Sequence, residues 1–262
     1  MGIGYKGKIY RAKKGSEIAT IPIIEKKCFT FPFKCNNMRN FTFVFFFILL
    51  GDLLARAMQP DWQIMEYVFK PLLMISLGEY FISSIILRGI RQNQFVLAAI
   101  VFSLLGDVFL MFEDYFIHGL GAFLIAHLFY IYAFQSEASR FFSKKKLLIP
   151  TILVLVYGYF LLMQVLPNVT LPLKVPITVY AIAILLMLLT TLYRWGNVPA
   201  ISYKYVIIGA TLFVISDSMI AISKFVTSFP MDSILIMATY GIGQYLIVEG
   251  FLKNVNTTSI NN

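Results

Sequence analysis

Five acidic residues lie within long apolar stretches of this 262-residue chain. They are Asp52, Glu79, Asp107, Asp217 and Glu249. A charged side chain at the centre of a bilayer costs at least about 2.5–3.5 kcal/mol, so acids in such segments are candidates for a functional site. Asp107 and Asp217 have similar neighbours, Leu105-Gly-Asp107 and Ile215-Ser-Asp-Ser218. Small and hydroxyl residues of this kind allow helices to approach closely.

The positions of Asp107 and Asp217 predict that their carboxyls share one layer of a helix bundle. With both helices running outward, the helical rise places them about 8 and 12 Å from the outer helix ends. Two carboxylates in a low-dielectric site repel each other, so at least one is expected to keep its proton near neutral pH. A carboxylic acid beside a carboxylate is a general acid–base pair. The alternative, in which the acids only hydrogen-bond the helices together, stays open.

Further polar residues are candidates for the wall of a substrate pocket around this pair. They are Lys70, Glu79, His118, His127, Tyr130, Ser216 and Gln244. Lys70 is placed to meet a lipid phosphate, although it could simply anchor its helix at the membrane interface. Glu79 could make a packing hydrogen bond or line the site. The two His and two Asp residues lack the HExxH or short paired spacing of a zinc site, so no metal is expected.

The two remaining acids have simpler explanations. Asp52 lies four residues before Arg56, a helical spacing that allows an ion pair. Glu249 lies within a turn of a predicted cytoplasmic helix end, where its carboxylate is expected to reach the lipid headgroups.

The composition indicates what must position these residues. Hydrophobic residues make up 59% of the chain and charged residues 13%, with a mean hydropathy of +0.78. A soluble domain of this length needs more charge to cover its surface. Apolar runs of about twenty residues recur, each long enough to cross a hydrocarbon core. They are apolar all round rather than alternating, which favours helices over a barrel. The sequence therefore predicts an all-α polytopic membrane helix bundle.

About eight transmembrane helices are predicted, joined by short connections with breakers such as Gln59-Pro60 and Phe229-Pro230. The predicted spans are 41–56, 68–87, 94–112, 115–136, 147–166, 171–193, 205–225 and 232–252. The predicted domains are a basic cytoplasmic arm (1–40), the transmembrane domain (41–252) and a short cytoplasmic tail (253–262).

The formal charge of +9 is concentrated in residues 1–40, which hold nine Lys and Arg residues against Glu17 and Glu25. A cytoplasmic arm near anionic lipid explains this charge better than nucleic-acid binding, so no nucleic-acid partner is expected. The positive-inside rule then places both termini in the cytoplasm. An endomembrane such as the endoplasmic reticulum is the expected location. The sequence does not predict the oligomeric state.

Several segments resemble the YhhN family of lysoplasmalogenase-like membrane proteins, in order over residues 70–250. They are Lys70-Pro-Leu72, Leu105-Gly-Asp-Val-Phe-Leu-Met111, Phe116, Gly119-Leu120, Phe123, His127, Tyr130, Gly209-Ala210, Phe213, Ser216-Asp-Ser218, Phe225 and Gln244-Tyr-Leu-Ile247. Members of that family are eight-helix membrane hydrolases that cleave the vinyl ether bond of lysoplasmalogens. The products are a fatty aldehyde and glycerophosphocholine or glycerophosphoethanolamine. The resemblance implies this activity here, with Asp107 and Asp217 as the family's paired aspartates.

The chemistry of a vinyl ether suits this pair of acids. A vinyl ether is stable to base, but protonating its terminal alkene carbon gives an oxocarbenium ion that water attacks. One Asp would protonate carbon while the other stabilises the cation and positions water, without a cofactor. The sequence does not assign these two roles. Lys70 would hold the phosphate, and His118, His127, Tyr130 and Gln244 are candidates for the pocket wall.

Two other classes of function stay open. Buried acids in one layer also occur in proton-coupled transporters, which would carry a lipid or a small solute. A non-catalytic lipid-binding or scaffold protein would keep its function after both acids are neutralised.

Overall fold

The computed structural model describes residues 38–88, 94–137 and 144–258. Within these ranges the chain forms eight α-helices, two short 3₁₀ helices and no strand. The α-helices are α1 (Met38–Ala57), α2 (Gln63–Arg88), α3 (Gln94–Phe109), α4 (Phe116–Ser136), α5 (Lys144–Val165), α6 (Leu171–Leu192), α7 (Ala200–Phe225) and α8 (Asp232–Thr258). The 3₁₀ helices, Glu113–Tyr115 and Leu166–Asn168, precede α4 and α6.

Six of the described helices are long and apolar enough to cross a membrane, namely α2, α4, α5, α6, α7 and α8. Helix α3 is apolar but has only 16 residues. Helix α1, which carries Asp52 and Arg56, is not among the six. The chain is therefore an all-α, multi-pass membrane protein, as the composition predicted. The count of eight spans and the cytoplasmic placement of both termini stay predictions.

Several helices extend past their predicted ends. Helix α2 begins at Gln63 rather than 68, α7 begins at Ala200 rather than 205, and α8 continues to Thr258 rather than ending at 252. Hydropathy marks where the apolar side chains stop, whereas the backbone hydrogen bonds of a helix continue into polar flanking residues. Helix α3 instead ends at Phe109, three residues earlier than predicted, and α5 and α6 each end one residue early.

The described residues contain little of the predicted terminal regions. The predicted arm lies outside them as far as Asn37, and the last four residues of the predicted tail lie outside them too. The division into arm, transmembrane domain and tail therefore stays a prediction.

Small residues set the distance between α7 and α8. A Cβ atom added to Gly209 would lie 2.7 Å from the carbonyl oxygen of Gly243, and one added to Gly243 would lie 2.9 Å from that of Gly209. Any side chain at either position would push the helices apart, so the two glycines allow direct backbone contact. Nearby, the Ser216 hydroxyl donates a hydrogen bond to the carbonyl oxygen of Ile236 (2.9 Å).

A glycine also sets the packing of α3 against α4. A Cβ atom on Gly106 would lie 2.5 Å from the ring of Phe123, so only glycine leaves room for that ring. Phe123 in turn lies edge to face with Phe213 of α7 and Tyr240 of α8, with ring centroids 6.3 and 5.9 Å apart. This arrangement brings Asp107, the residue after Gly106, close to α7 and α8.

Candidate active site

A polar cavity with about 340 Å³ of empty space, partly open, lies among the described helices. Its polar lining is Arg56 (α1), Lys70 (α2), Asp107 (α3), Ser216 and Asp217 (α7), and Tyr240 (α8). Four of the residues proposed from sequence, Lys70, Asp107, Ser216 and Asp217, thus lie around one cavity. The two acids, which are 110 positions apart in the sequence, are brought together by the fold.

Asp107 has a cation and a hydroxyl as partners. The carboxyl is buried, and its Oδ2 accepts a hydrogen bond of 2.6 Å from the Tyr240 hydroxyl. Its Oδ1 lies 3.5 Å from Nζ of Lys70. An ammonium group and a hydroxyl donor are strong partners for a carboxylate, so both oxygens of Asp107 are engaged.

Asp217 has different surroundings. Its Oδ2 forms a short hydrogen bond with the hydroxyl of Tyr180, on α6. The Nε2 atom of His127 lies 4.0 Å from the same oxygen, beyond hydrogen-bond distance. Among the described residues, no Lys or Arg forms an ion pair with Asp217. The two acids therefore differ in that only Asp107 has a cationic partner.

A second, apolar cavity, also partly open, lies beside the first, with about 470 Å³ of empty space including its open side. Its own lining comes from α4, α6 and α7: Phe116, Leu120, Ile177, Tyr180, Ala221 and Phe225. Four residues line both cavities: Leu110, Phe123, Asp217 and Ile220. Of the two candidate acids, only Asp217 borders both spaces.

A buried row of polar side chains lies next to the site without lining either cavity. The Tyr130 hydroxyl donates to Oε1 of Gln244 (2.6 Å), whose Nε2 donates to the Ser103 hydroxyl (3.0 Å). Gln244 lies one turn from Tyr240, and Ser103 lies one turn from Asp107. Tyr130 and Gln244 thus connect α4, α8 and α3 beside the acids, and a role in the pocket wall stays a prediction.

The structure places the remaining sequence candidates differently. His127 is fully buried, and neither ring nitrogen has a hydrogen-bond partner among the described residues. Its ring packs against those of Tyr180 and Phe213, with centroids 5.2 and 5.0 Å away. His118 is exposed and packs against aromatic rings, and Glu79 is exposed on α2; neither lines either of these two cavities. Within the described segments, no three His, Cys, Asp or Glu side chains are grouped as metal ligands.

Sequence reasoning did not identify three residues of the site. Tyr240 bonds to Asp107, and its spacing of four from Gln244 was the available signal. Nothing in the sequence around Tyr180 indicates a site residue, because it is one aromatic residue within an apolar helix. Arg56 was expected to pair with Asp52, which is confirmed at 2.7 Å, and it also lies 2.7 Å from Glu66. Its place on the cavity wall depends on how α1 is oriented.

Comparisons with known proteins give a consistent result. The model of the YhhN family matches residues 65–251, a segment that contains Lys70, Asp107 and Asp217. A rat protein named lysoplasmalogenase TMEM86B is 30% identical over 196 residues, which cover 75% of this chain and 76% of the rat protein. A Mycobacterium bovis protein named lysoplasmalogenase is 30% identical over 165 residues, covering 62% of this chain and 61% of that protein.

No solved structure matches the chain. The family model nevertheless spans well over half of the sequence, and it includes every residue of the polar cavity except Arg56. The chain belongs to the YhhN family.

Proposed function

We propose that this protein is a lysoplasmalogenase-type hydrolase. It cleaves the vinyl ether bond of a lysoplasmalogen in the membrane, giving a fatty aldehyde and glycerophosphocholine or glycerophosphoethanolamine. The rat and mycobacterial relatives carry the name lysoplasmalogenase. The observation that carries the proposal is that Asp107 and Asp217, from two helices, line one cavity together with Lys70.

The pair of acids fits the demands of the reaction. Breaking a vinyl ether requires a proton on carbon, then a water molecule at the oxocarbenium carbon. A carboxylic acid supplies the proton, and a neighbouring carboxylate stabilises the positive charge in a site with little water to screen it. The resulting hemiacetal separates into the aldehyde and the free glycerol hydroxyl.

The cations of the polar cavity fit the phosphate of the substrate. Lys70 is largely buried, with 14% of its side chain exposed, and it lines the polar cavity. Arg56 lines the same space. A phosphate between these groups would form charge-assisted hydrogen bonds, which are the strongest class of hydrogen bond in proteins. Lys70 is therefore proposed to hold the phosphate, with Arg56 beside it.

The first test is aldehyde release by the purified protein in detergent, from lysoplasmenylcholine and lysoplasmenylethanolamine. We expect product from the wild type and a rate about 10²–10⁴-fold lower from Asp107→Asn and from Asp217→Asn. Asp114→Asn, which changes an exposed acid outside both cavities, is the matched control and should behave as the wild type. Circular dichroism and size-exclusion chromatography would show that each variant is folded.

Other results would lead to other functions. No aldehyde from the wild type, together with lipid counterflow in proteoliposomes, would indicate a proton-coupled carrier instead. Full activity in both Asp variants would support the proposed hydrolase activity. It would also show that Asp107 and Asp217 are not its general acid and base.

The protein is an integral multi-pass membrane protein, and we propose the endoplasmic reticulum or another endomembrane as its location. The basic segment before residue 40 suits the cytoplasmic face of such a membrane. Fluorescence microscopy of the tagged full-length chain would test this proposal, and a plasma-membrane signal would contradict it.

A further inference from the structure

The wall between the two cavities contains one ionisable side chain, Asp217. Asp217 and Ile220 lie one turn apart on α7, and both border each cavity. On one side lie the charged groups of Lys70 and Asp107. On the other side the lining is almost entirely apolar, formed by residues such as Ala221. Polar and apolar binding spaces thus meet at a single carboxyl.

A lysoplasmalogen has the same division. Its phosphate is charged, its alkenyl tail is apolar, and the ether oxygen lies between them. We propose that the apolar cavity binds the alkenyl tail, and that Asp217 is the acid that protonates the vinyl ether. This inference rests on the proposed function. The two cavities share four lining residues, and only the polar cavity has Lys or Arg in its lining; we take these two observations to orient the substrate.

The chemistry of the bond assigns the proton donor. The carbon that accepts the proton is the second carbon of the alkenyl tail, so it lies on the hydrocarbon side of the ether oxygen. With the phosphate at Lys70 and the tail in the apolar cavity, this carbon reaches the wall between them. Asp217 borders that position, whereas Asp107 lines only the polar cavity.

The step balances without an added reagent. The π electrons of the alkene form a C–H bond with the proton of Asp217, and the ether oxygen shares a lone pair to give the oxocarbenium ion. Water adds to the cationic carbon and returns a proton to the Asp217 carboxylate. The hemiacetal then transfers its hydroxyl proton to the glycerol oxygen as the C–O bond breaks. One water is consumed, and Asp217 recovers its starting form.

Asp107 has the complementary role. Its oxygens contact the Lys70 amine and the Tyr240 hydroxyl, partners that suit a carboxylate rather than a proton donor. Asp107 remains charged and stabilises the cation electrostatically. The Asp107→Asn substitution keeps a carbonyl oxygen that accepts the hydrogen bond from Tyr240. It therefore removes the negative charge but leaves proton transfer from Asp217 possible.

A photocrosslinking experiment tests the tail site independently of turnover. The probe is a 1-O-alkyl lysophosphatidylcholine with a diazirine at the end of its tail; it lacks the alkene and cannot be hydrolysed by this route. We expect labelled peptides from α4, α6 and α7, at positions such as Ile177 and Ala221. Ala221→Phe, which fills the cavity, should reduce this labelling at least tenfold. Ile215→Phe, at an exposed position on the same helix, should leave it unchanged.

Labelling confined to exposed residues of α5 would overturn the tail site. This readout does not require hydrolysis, so it separates failure of the tail site from failure of the proposed function. In the turnover assay, Ala221→Phe should lower kcat/KM for long alkenyl tails at least tenfold and keep activity on short ones, which also shows that the variant is folded. Equal losses for both tail lengths would contradict the proposal.

Turnover in D₂O tests the division of roles. The aldehyde, reduced in place to its alcohol, should carry one deuterium at its second carbon, on a single face. Asp107→Asn should keep slow turnover with the same stereochemistry, because Asp217 still delivers the proton. Asp217→Asn should give no stereospecific product. Stereospecific turnover by Asp217→Asn, or no measurable turnover by Asp107→Asn, would overturn the assignment.

Discussion

Two of the groups of buried charges among the described residues differ in access to a cavity. The first group surrounds the polar cavity and contains Asp107, Asp217 and Lys70. The second, the Arg194 cluster, consists of Glu137, Arg194, Ser202 and Asn254. In it, Nε and Nη2 of the fully buried Arg194 each lie 2.7 Å from Oε2 of Glu137. Arg194 Nη2 also donates to the Ser202 hydroxyl, and Asn254 Nδ2 donates to Glu137 Oε1.

The Arg194 cluster lines neither cavity. It links the end of α4 to α7, to α8 and to the connection after α6, and the ring of Phe251 lies 4.8 Å from the guanidinium carbon. Burial raises the pKa of the Glu137 carboxyl, although the charge of Arg194 acts in the opposite direction. Almost every polar atom of the cluster has a protein partner, so we expect its role to be structural. On this comparison, we expect a buried charge to take part in function only where a ligand can reach it.

The largest expected effect on activity comes from Asp217→Asn. This change removes the proposed proton donor and should lower kcat by about 10²–10⁴-fold. The melting temperature should stay near that of the wild type, because Asn still bonds to Tyr180. Aldehyde release and thermal unfolding measured on the same preparation would check both statements. A large fall in melting temperature would indicate that Asp217 mainly stabilises the fold, as Arg194 is expected to do.

Arg194→Met should show the reverse pattern. Removing one partner of a buried ion pair leaves the other uncompensated, which costs about 3–5 kcal/mol of stability. The double variant Arg194→Met/Glu137→Met should recover most of this loss, because no buried charge remains unpaired. Activity per folded molecule should be unchanged. Thermal or denaturant unfolding in detergent would measure the stabilities, and equal losses in the single and double variants would argue against an ion-pair role.

Lys70→Gln should weaken substrate binding. A hydrogen bond to a charged group contributes about 1.5–3 kcal/mol, so KM should rise by roughly ten- to a hundredfold. Lys174→Gln, a lysine outside both cavities, is the control and should leave KM unchanged. Steady-state kinetics with lysoplasmenylcholine would separate KM from kcat. An unchanged KM for Lys70→Gln would place the phosphate elsewhere.

Glu79→Gln should have the smallest effect. The side chain is exposed on α2 and lines neither cavity, so stability should change by no more than about 0.5 kcal/mol. Aldehyde release should match that of the wild type. A loss comparable to that of Asp217→Asn would show that an acid outside both cavities takes part in catalysis.

The sequence alone determined the helical class, most helix boundaries to within a few residues and the family. In lipid the backbone must satisfy its own hydrogen bonds, so apolar runs of this length become helices. It also singled out Asp107, Asp217 and Lys70, because charged groups are rare in such runs, and Ser216 as a small hydroxyl neighbour of Asp217. All four line the polar cavity. Their roles in the reaction stay predictions.

The tertiary structure alone decided which face of each helix points inward. Membrane helices are apolar on all sides, so hydropathy does not distinguish the buried face from the lipid face. For this reason Glu79 and Asp107 were both candidates for the site, yet of these two only Asp107 reaches the polar cavity. The same rotations bring Tyr180 and Tyr240 onto the two acids. The fold also places Arg194, in the connection after α6, at the centre of a buried ion pair.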